Sequence, residues 1–259
     1  MKRYLILIFL ITGGLHCLAQ VEVGKWREHL PYRMGIQLQR VDQTLFCLTH
    51  SGLFSYSLND NRVQTHSKAS GLSDVSIQSI AATVDGKSLI IGYDNGNVDV
   101  LGKEGVVNIP HIQREDMVQD KAIYSILPIV HKVLLGTGFG IVVLNLDKAE
   151  VADTYYIGSG GSYLRVNSLV QWKGYYWAAT TKGIFRASVN GSNLSDFNRW
   201  EQLSLPGDPS REVMHLVVWS NGLVCSRSLS GDQSQLVRFS NGSWDVIIPD
   251  LSRISSLRC

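Results

Sequence analysis

The chain has 259 residues, 44% hydrophobic and 18% charged, with 24 glycines against 6 prolines. That composition excludes a disordered or fibrous chain and leaves room for a sizeable core. The formal charge of +2 includes Lys2 and Arg3; setting those two aside, the remaining 22 basic residues match 22 acidic ones. They are scattered singly, so there is no basic stripe of the kind that neutralises phosphates, and nucleic acid is not an expected partner.

The first element in chain order reads as an export leader. Met1-Lys2-Arg3 is basic, residues 4–11 (YLILIFLI) are apolar, and Gly13-Gly14 and Cys17-Leu18-Ala19 supply small residues, the order that a signal peptide needs. Cleavage is expected between Ala19 and Gln20, making 1–19 the signal peptide and 20–259 the mature domain. Lipidation at Cys17 is disfavoured, because His16 stands where a lipoprotein signal wants a small residue. No later stretch approaches the roughly 20 apolar residues of a spanning helix, so no membrane-spanning segment is expected in the mature chain. Loss of Cys17 leaves three cysteines, a poor disulfide framework; Cys47 and Cys225 sit in apolar runs and read as small buried hydrophobes.

Next, residues 25–30 (KWREHL) read as the outer strand of a repeat whose full copies follow. Residues 45–57, 89–101, 133–145 and 176–188 share one design: an apolar run, a tight turn with glycine, and a second apolar or alternating run, which is a β-hairpin. The turn glycines Gly52, Gly96, Gly140 and Gly183 are spaced by 44, 44 and 43 residues. A looser fifth copy spans 222–239 with Gly231 in its turn. An alternating strand precedes each hairpin (35–41, 75–83, 121–130, 165–172, 212–219), and a fourth element follows, twice marked by tryptophan in WEQL (200–203) and WDVI (244–247).

Four antiparallel strands repeated at this period specify an all-β chain of β-propeller blades. A sandwich or single barrel would show turn signals roughly every 8–12 residues without the long self-similarity. In this register Cys47, Ile91, Leu135 and Ala178 are equivalent, a slot that packs between blades. Residues 251–259 resemble the start of a further inner strand. Five blades with such fragments do not close a ring, so the chain is expected to be part of a larger propeller, incomplete at its C-terminal side.

The sequence offers little chemistry. No H-x-x-x-H or H-E-x-x-H pair and no G-x-S-x-G elbow occurs, so no catalytic residue, metal site or cofactor is expected. Gly136-Thr-Gly-Phe-Gly140 superficially resembles a phosphate loop, but no helix follows and its glycines belong to the repeat turn. Asn190-Gly-Ser and Asn241-Gly-Ser match glycosylation acceptors and read better as turns. Binding is then the expected activity, carried by the loops between blades at 71–76, 111–121, 158–164 and 206–211. Asp74, Arg114, Tyr163 and Arg211 on these loops form the candidate ligand set, with Tyr163 as a stacking platform and the arginines as anion donors for a polar or glycan ligand.

Specific strings add to the periodicity. Trp26-Arg-Glu-His-Leu-Pro-Tyr32, Gly71-Leu-Ser-Asp74, Leu89-Ile-Ile-Gly-Tyr-Asp-Asn-Gly-Asn-Val-Asp99, and Phe139-Gly-Ile-Val-Val-Leu-Asn145 with Asp153-Thr-Tyr155 together resemble the N-terminal propeller of the PorZ family. The resemblance implies a non-enzymatic component of the type IX secretion system attachment complex. Its implied partners are PorU, PorV and PorQ-like proteins, and its place is the outer membrane or cell surface, or the periplasm if the sorting domain is absent. It also implies a part in C-terminal signal processing of cargo and its attachment to anionic lipopolysaccharide, through binding of that glycolipid. Gly71-Leu-Ser-Asp74 followed by Ile90-Ile-Gly-Tyr-Asp-Asn-Gly also resembles periplasmic sensor propellers of hybrid two-component regulators, which is the alternative reading. A polysaccharide lyase or hydrolase, needing clustered His, Tyr, Arg or paired carboxylates on the channel face, is a third and more distant one.

Overall fold

The computed structural model describes residues 32–191, 193–229 and 233–252. The leader with its Ala19/Gln20 junction, segment 25–30, Gly231 and residues 253–259 lie outside the described residues. Five sheets, each of four antiparallel strands in chain order, are arranged as the blades of a β-propeller. Blade 1 comprises β1 (Gly35–Val41), β2 (Thr44–Thr49), β3 (Gly52–Ser57) and β4 (Val63–His66). Blade 2 comprises β5 (Ile77–Ala82), β6 (Leu89–Tyr93), β7 (Val98–Gly102) and β8 (Gly105–Ile109). Blade 3 comprises β9 (Ile123–Ile129), β10 (Lys132–Thr137), β11 (Ile141–Asn145) and β12 (Glu150–Tyr155). Blade 4 comprises β13 (Val166–Trp172), β14 (Tyr175–Thr180), β15 (Gly183–Ser188) and β16 (Glu201–Leu203). Blade 5 comprises β17 (Val213–Trp219), β18 (Gly222–Ser228), β19 (Gln233–Ser240) and β20 (Ser243–Ser252). A one-turn helix, α1 (His111–Arg114), lies between blades 2 and 3.

The continuous apolar runs become middle strands because both of their faces are covered. In β6, Ile91 enters the core shared with blade 1 and Ile90 the core shared with blade 3. Leu135 and Leu134 of β10, and Ala178 and Trp177 of β14, divide in the same way. The two-residue period of a strand thus feeds two interblade cores at once. Each of these six side chains is at most 1% exposed, and full burial of each leucine or isoleucine among them contributes about 1.5–3 kcal/mol.

Cores join blades 1 and 2, 2 and 3, 3 and 4, and 4 and 5; among the described residues none joins blade 5 to blade 1. One register position shows the consequence. Ile80, Leu169 and Leu216, paired with Ile91, Ala178 and Cys225, are 0%, 5% and 3% exposed. Their equivalent Leu38, paired with Cys47, is 61% exposed. Cys225 is buried as the sequence predicts, whereas Cys47 is only half-buried. In blades 2 to 5 this slot faces a neighbouring blade, but in blade 1 no core forms against it among the described residues.

The repeated turn glycine has two causes. Gly140 and Gly183 take φ of 155° and 97°, and a Cβ at Gly183 would stand 2.1 Å from the Pro209 carbonyl oxygen. The loop to the next blade therefore crosses directly over the turn. A threonine ends the preceding strand and caps the turn: Thr137 Oγ1 accepts from Phe139 and Gly140 N–H at 3.3 and 3.2 Å, and Thr49 and Thr180 act alike. Gly136–Gly140 is thus a hairpin turn. Asn241 and Gly242, with φ of 51° and 84°, form the β19–β20 turn, as a type I′ hairpin requires. Leu251 and Ser252 pair with β19 and finish β20, so the further strand read over 251–259 does not begin at its first two residues.

Candidate functional site

In a four-stranded antiparallel blade the turn between strands two and three falls on the same face as the loop to the next blade. Backbone bonds stitch these segments together on that face. Asp94 N–H donates to Ser76 O (3.0 Å), Leu164 to Phe139 (3.4 Å), Thr181 to Arg165 (3.2 Å) and Ser228 to Glu212 (2.9 Å). All four sequence-predicted binding residues lie on the interblade loops of this face, one per blade junction.

Their surroundings differ. Asp74 accepts from Asn95 Nδ2 (2.5 Å) and Gln113 Nε2 (3.2 Å), and its Oδ1 accepts from Val75 N–H (3.0 Å). It therefore ties two neighbouring loops and a turn together. Arg114, at the end of α1 and next to Gln113, is exposed. Tyr163 is 53% exposed and packs edge-on against Tyr156 (5.3 Å between centroids), which in turn leans on Phe139 at 6.5 Å. Arg211 pairs with Asp208 at 3.8 Å. Among the described residues no hydrogen bond or ion pair joins any two of the four.

The inner strands of all five blades line a central channel, a cavity of about 660 Å³. Its wall repeats one device that the sequence reading missed. Gln37, Ser79, Ser125 and Ser168 hold equivalent positions on β1, β5, β9 and β13. Each bonds the next blade's inner strand. Gln37 Nε2 donates to Ile80 O (2.5 Å), Ser79 Oγ to Ile123 O (2.6 Å), and Ser125 Oγ accepts from Leu169 N–H (2.9 Å). Ser168 Oγ both donates to Leu216 O and accepts from Leu216 N–H, each at 3.2 Å. His215 is the fifth in register, with Nδ1 2.9 Å from Ser226 Oγ. These residues lie 42 to 47 apart in the chain, and that spacing was the available signal.

At the channel mouth a chain of polar contacts spans blades 3 to 5. Tyr124 donates to Asp120 (2.5 Å), Arg165 stacks over the Tyr124 ring (5.2 Å) and ion-pairs with Glu212, and Asn167 Nδ2 donates to Glu212 at 3.1 Å. Burial opposes the Arg165 charge, but the hydrogen bond and charge of Glu212 hold its pKa above the usual arginine value. Burial, then the bond to Asp120, raises that of Tyr124. Deeper in blade 2, fully buried Asp99 accepts from Ser73 N–H, Tyr93 Oη and Asn108 Nδ2 at 2.8, 2.7 and 2.9 Å, a satisfied structural carboxylate. Among the described residues no group of three or more His, Cys, Asp or Glu could hold a metal ion, and no helix is long and apolar enough to cross a membrane. The arrangement is a neutral, hydrogen-bonding channel under a face bearing exposed aromatic and arginine side chains, suited to binding polar ligands.

The family model of the type IX secretion system PorZ N-terminal β-propeller domain matches residues 45–201. Among solved structures, PorZ of Porphyromonas gingivalis, described as an essential bacterial surface component of that system, superposes with a TM-score of 0.70 at 23% identity. The match covers 87% of this chain and 29% of that one. The extracellular domain of a one-component system of B. thetaiotaomicron gives a TM-score of 0.58 at 12% identity, covering 88% and 36%. That of a hybrid two-component system of the same organism gives 0.55 at 14%, covering 85% and 34%. No curated protein matches in sequence.

Proposed function

This chain belongs to the PorZ N-terminal β-propeller family, and from that premise we propose that it serves the type IX secretion system as a non-enzymatic propeller at the outer membrane or cell surface, exported by its leader. In this reading it acts in the attachment complex with PorU, PorV and PorQ-like proteins, where cargo loses its C-terminal signal and is joined to anionic lipopolysaccharide. The loop face binds that glycolipid, with Tyr163 stacking on a sugar ring and Arg114 and Arg211 meeting its anionic groups. Asp74 holds the loops in place for this role. The observation that carries the reading is the family match over residues 45–201.

Deletion of the gene tests it. The expected result is cargo that keeps its C-terminal signal and lacks the lipopolysaccharide-linked ladder, restored by the wild-type gene. Normal cargo together with a lost transcriptional response to a glycan would overturn the reading in favour of the sensor alternative, which the likeness to two extracellular sensor domains keeps in view.

A further inference from the structure

One register position breaks its own rule. The second-strand residue paired with the start of the inner strand is Thr49, Tyr93, Thr137 and Thr180 in blades 1 to 4, each neutral and at most 2% exposed, and the three threonines cap the turn. In blade 5 the position holds Arg227, 4% exposed. A buried guanidinium keeps its charge and needs acceptors for its fork of N–H donors. Here Nη2 donates to Gln235 Oε1 at 2.5 Å and Nη1 reaches the Asp208 carbonyl at 3.5 Å, both neutral acceptors, while buried Nε has no partner among the described residues.

The nearby carboxylate is turned elsewhere. Asp208 Oδ1 accepts from Ser210 N–H and Oγ at 2.9 and 2.7 Å, and Oδ2 pairs with Arg211 at 3.8 Å. Burial lowers the Arg227 pKa, and the Arg211 charge lowers it further. Two cations thus share the junction of blades 4 and 5: Arg227 on β18, buried and among the described residues short of an anion, and Arg211 on the loop with Asp208, its side chain 41% exposed. An oxyanion would supply the missing charge and accept from the vacant Nε.

We propose that this junction is an oxyanion site for a phosphate or carboxylate group, with Arg227 as the buried donor and Arg211 as the donor at its entrance. The site shares Arg211 with the glycolipid reading but turns on Arg227, which has no part in that reading, and it holds for any anionic ligand of that size.

The test is calorimetric titration of the purified chain with inorganic phosphate, and separately with acetate, at constant ionic strength set by chloride. Saturable binding of either is expected, weakened about tenfold or more in Arg227→Thr, which restores the residue type of blades 1, 3 and 4, and several-fold in Arg211→Ala. Titration with glucose 1-phosphate, glucuronate and vesicles of phosphatidylglycerol in phosphatidylcholine separates sugar phosphate, uronic acid and lipid headgroup as the source. No binding to the wild type beyond the chloride control, or equal binding to a folded Arg227→Thr, would overturn the site. If Arg227→Thr fails to fold, Arg227→Gln serves in its place. Phosphate binding without lipopolysaccharide binding would sink the functional reading and leave this site standing.

Discussion

Cys47 and Cys225 occupy one register position in blades 1 and 5, and their chemistry should differ accordingly. Burial raises both thiol pKa values, that of Cys225 to about 12, yet Cys225 is 0% exposed while Cys47 is half-buried. In a Cys259→Ser background, a disulfide reagent at mildly alkaline pH should modify Cys47 in the folded chain and Cys225 only after unfolding; equal protection of both would mean that the outer face of blade 1 is covered. His66 is a second residue with a readable environment. Its ring lies 5.4 Å from Phe46, its Nε2 is 2.8 Å from Ser55 Oγ, and burial pushes its pKa below the usual value. The unfolded chain therefore binds the proton first: the His66 contribution is complete above about pH 6.5 and is lost as pH falls below that value. Urea titrations at pH 7.5 and 5.5 should show lower stability at 5.5, with a smaller difference in His66→Gln. Gly183→Ala should cost about 2 kcal/mol or more, since it adds a left-handed penalty to a clash with the Pro209 carbonyl; an unchanged urea midpoint would contradict the crossing of loop over turn.

At the scale of the element, the inner strands are coupled by side chains that cross from one blade to the next. Ser168→Ala removes both bonds to Leu216 and should cost about 1–2 kcal/mol in chemical denaturation. A neutral result would mean that packing alone holds blades 4 and 5 together. The middle strands were legible in the sequence because burial on two faces writes a continuous apolar run, as in LIIGY and YWAAT, and the turn glycines marked the period. Outer strands were harder to read: β4 has only four largely exposed residues and no pattern of burial marks it, whereas the three-residue β16 was legible through the buried Trp200 before it. The Gln37, Ser79, Ser125 and Ser168 bridges were missed because short polar residues on an alternating strand look solvent-facing until the neighbouring blade is in place.

At the scale of the molecule, the five blades of the described residues share four cores in chain order, and their inner strands line a common channel. The face on which the interblade loops gather could be assigned from topology alone. The particular residues could not. Asp74 reads as a ligand in sequence because it is a loop carboxylate, yet its oxygens serve Asn95, Gln113 and the Val75 N–H. Arg227 reads as an ordinary strand residue, and only its alignment with Thr49, Thr137 and Thr180 makes its burial conspicuous. Tyr163 keeps the position that sequence suggested, exposed on an aromatic ledge with Tyr156 and Phe139.

The proposed glycolipid binding is tested most directly by the affinity of the purified chain for anionic lipopolysaccharide against a neutral polysaccharide of similar length, measured by biolayer interferometry at fixed ionic strength. Saturable binding to the anionic form alone is expected, weakened about threefold to tenfold by Tyr163→Ala as one aromatic contact is lost. Equal binding of both polymers, or none of either, would contradict it.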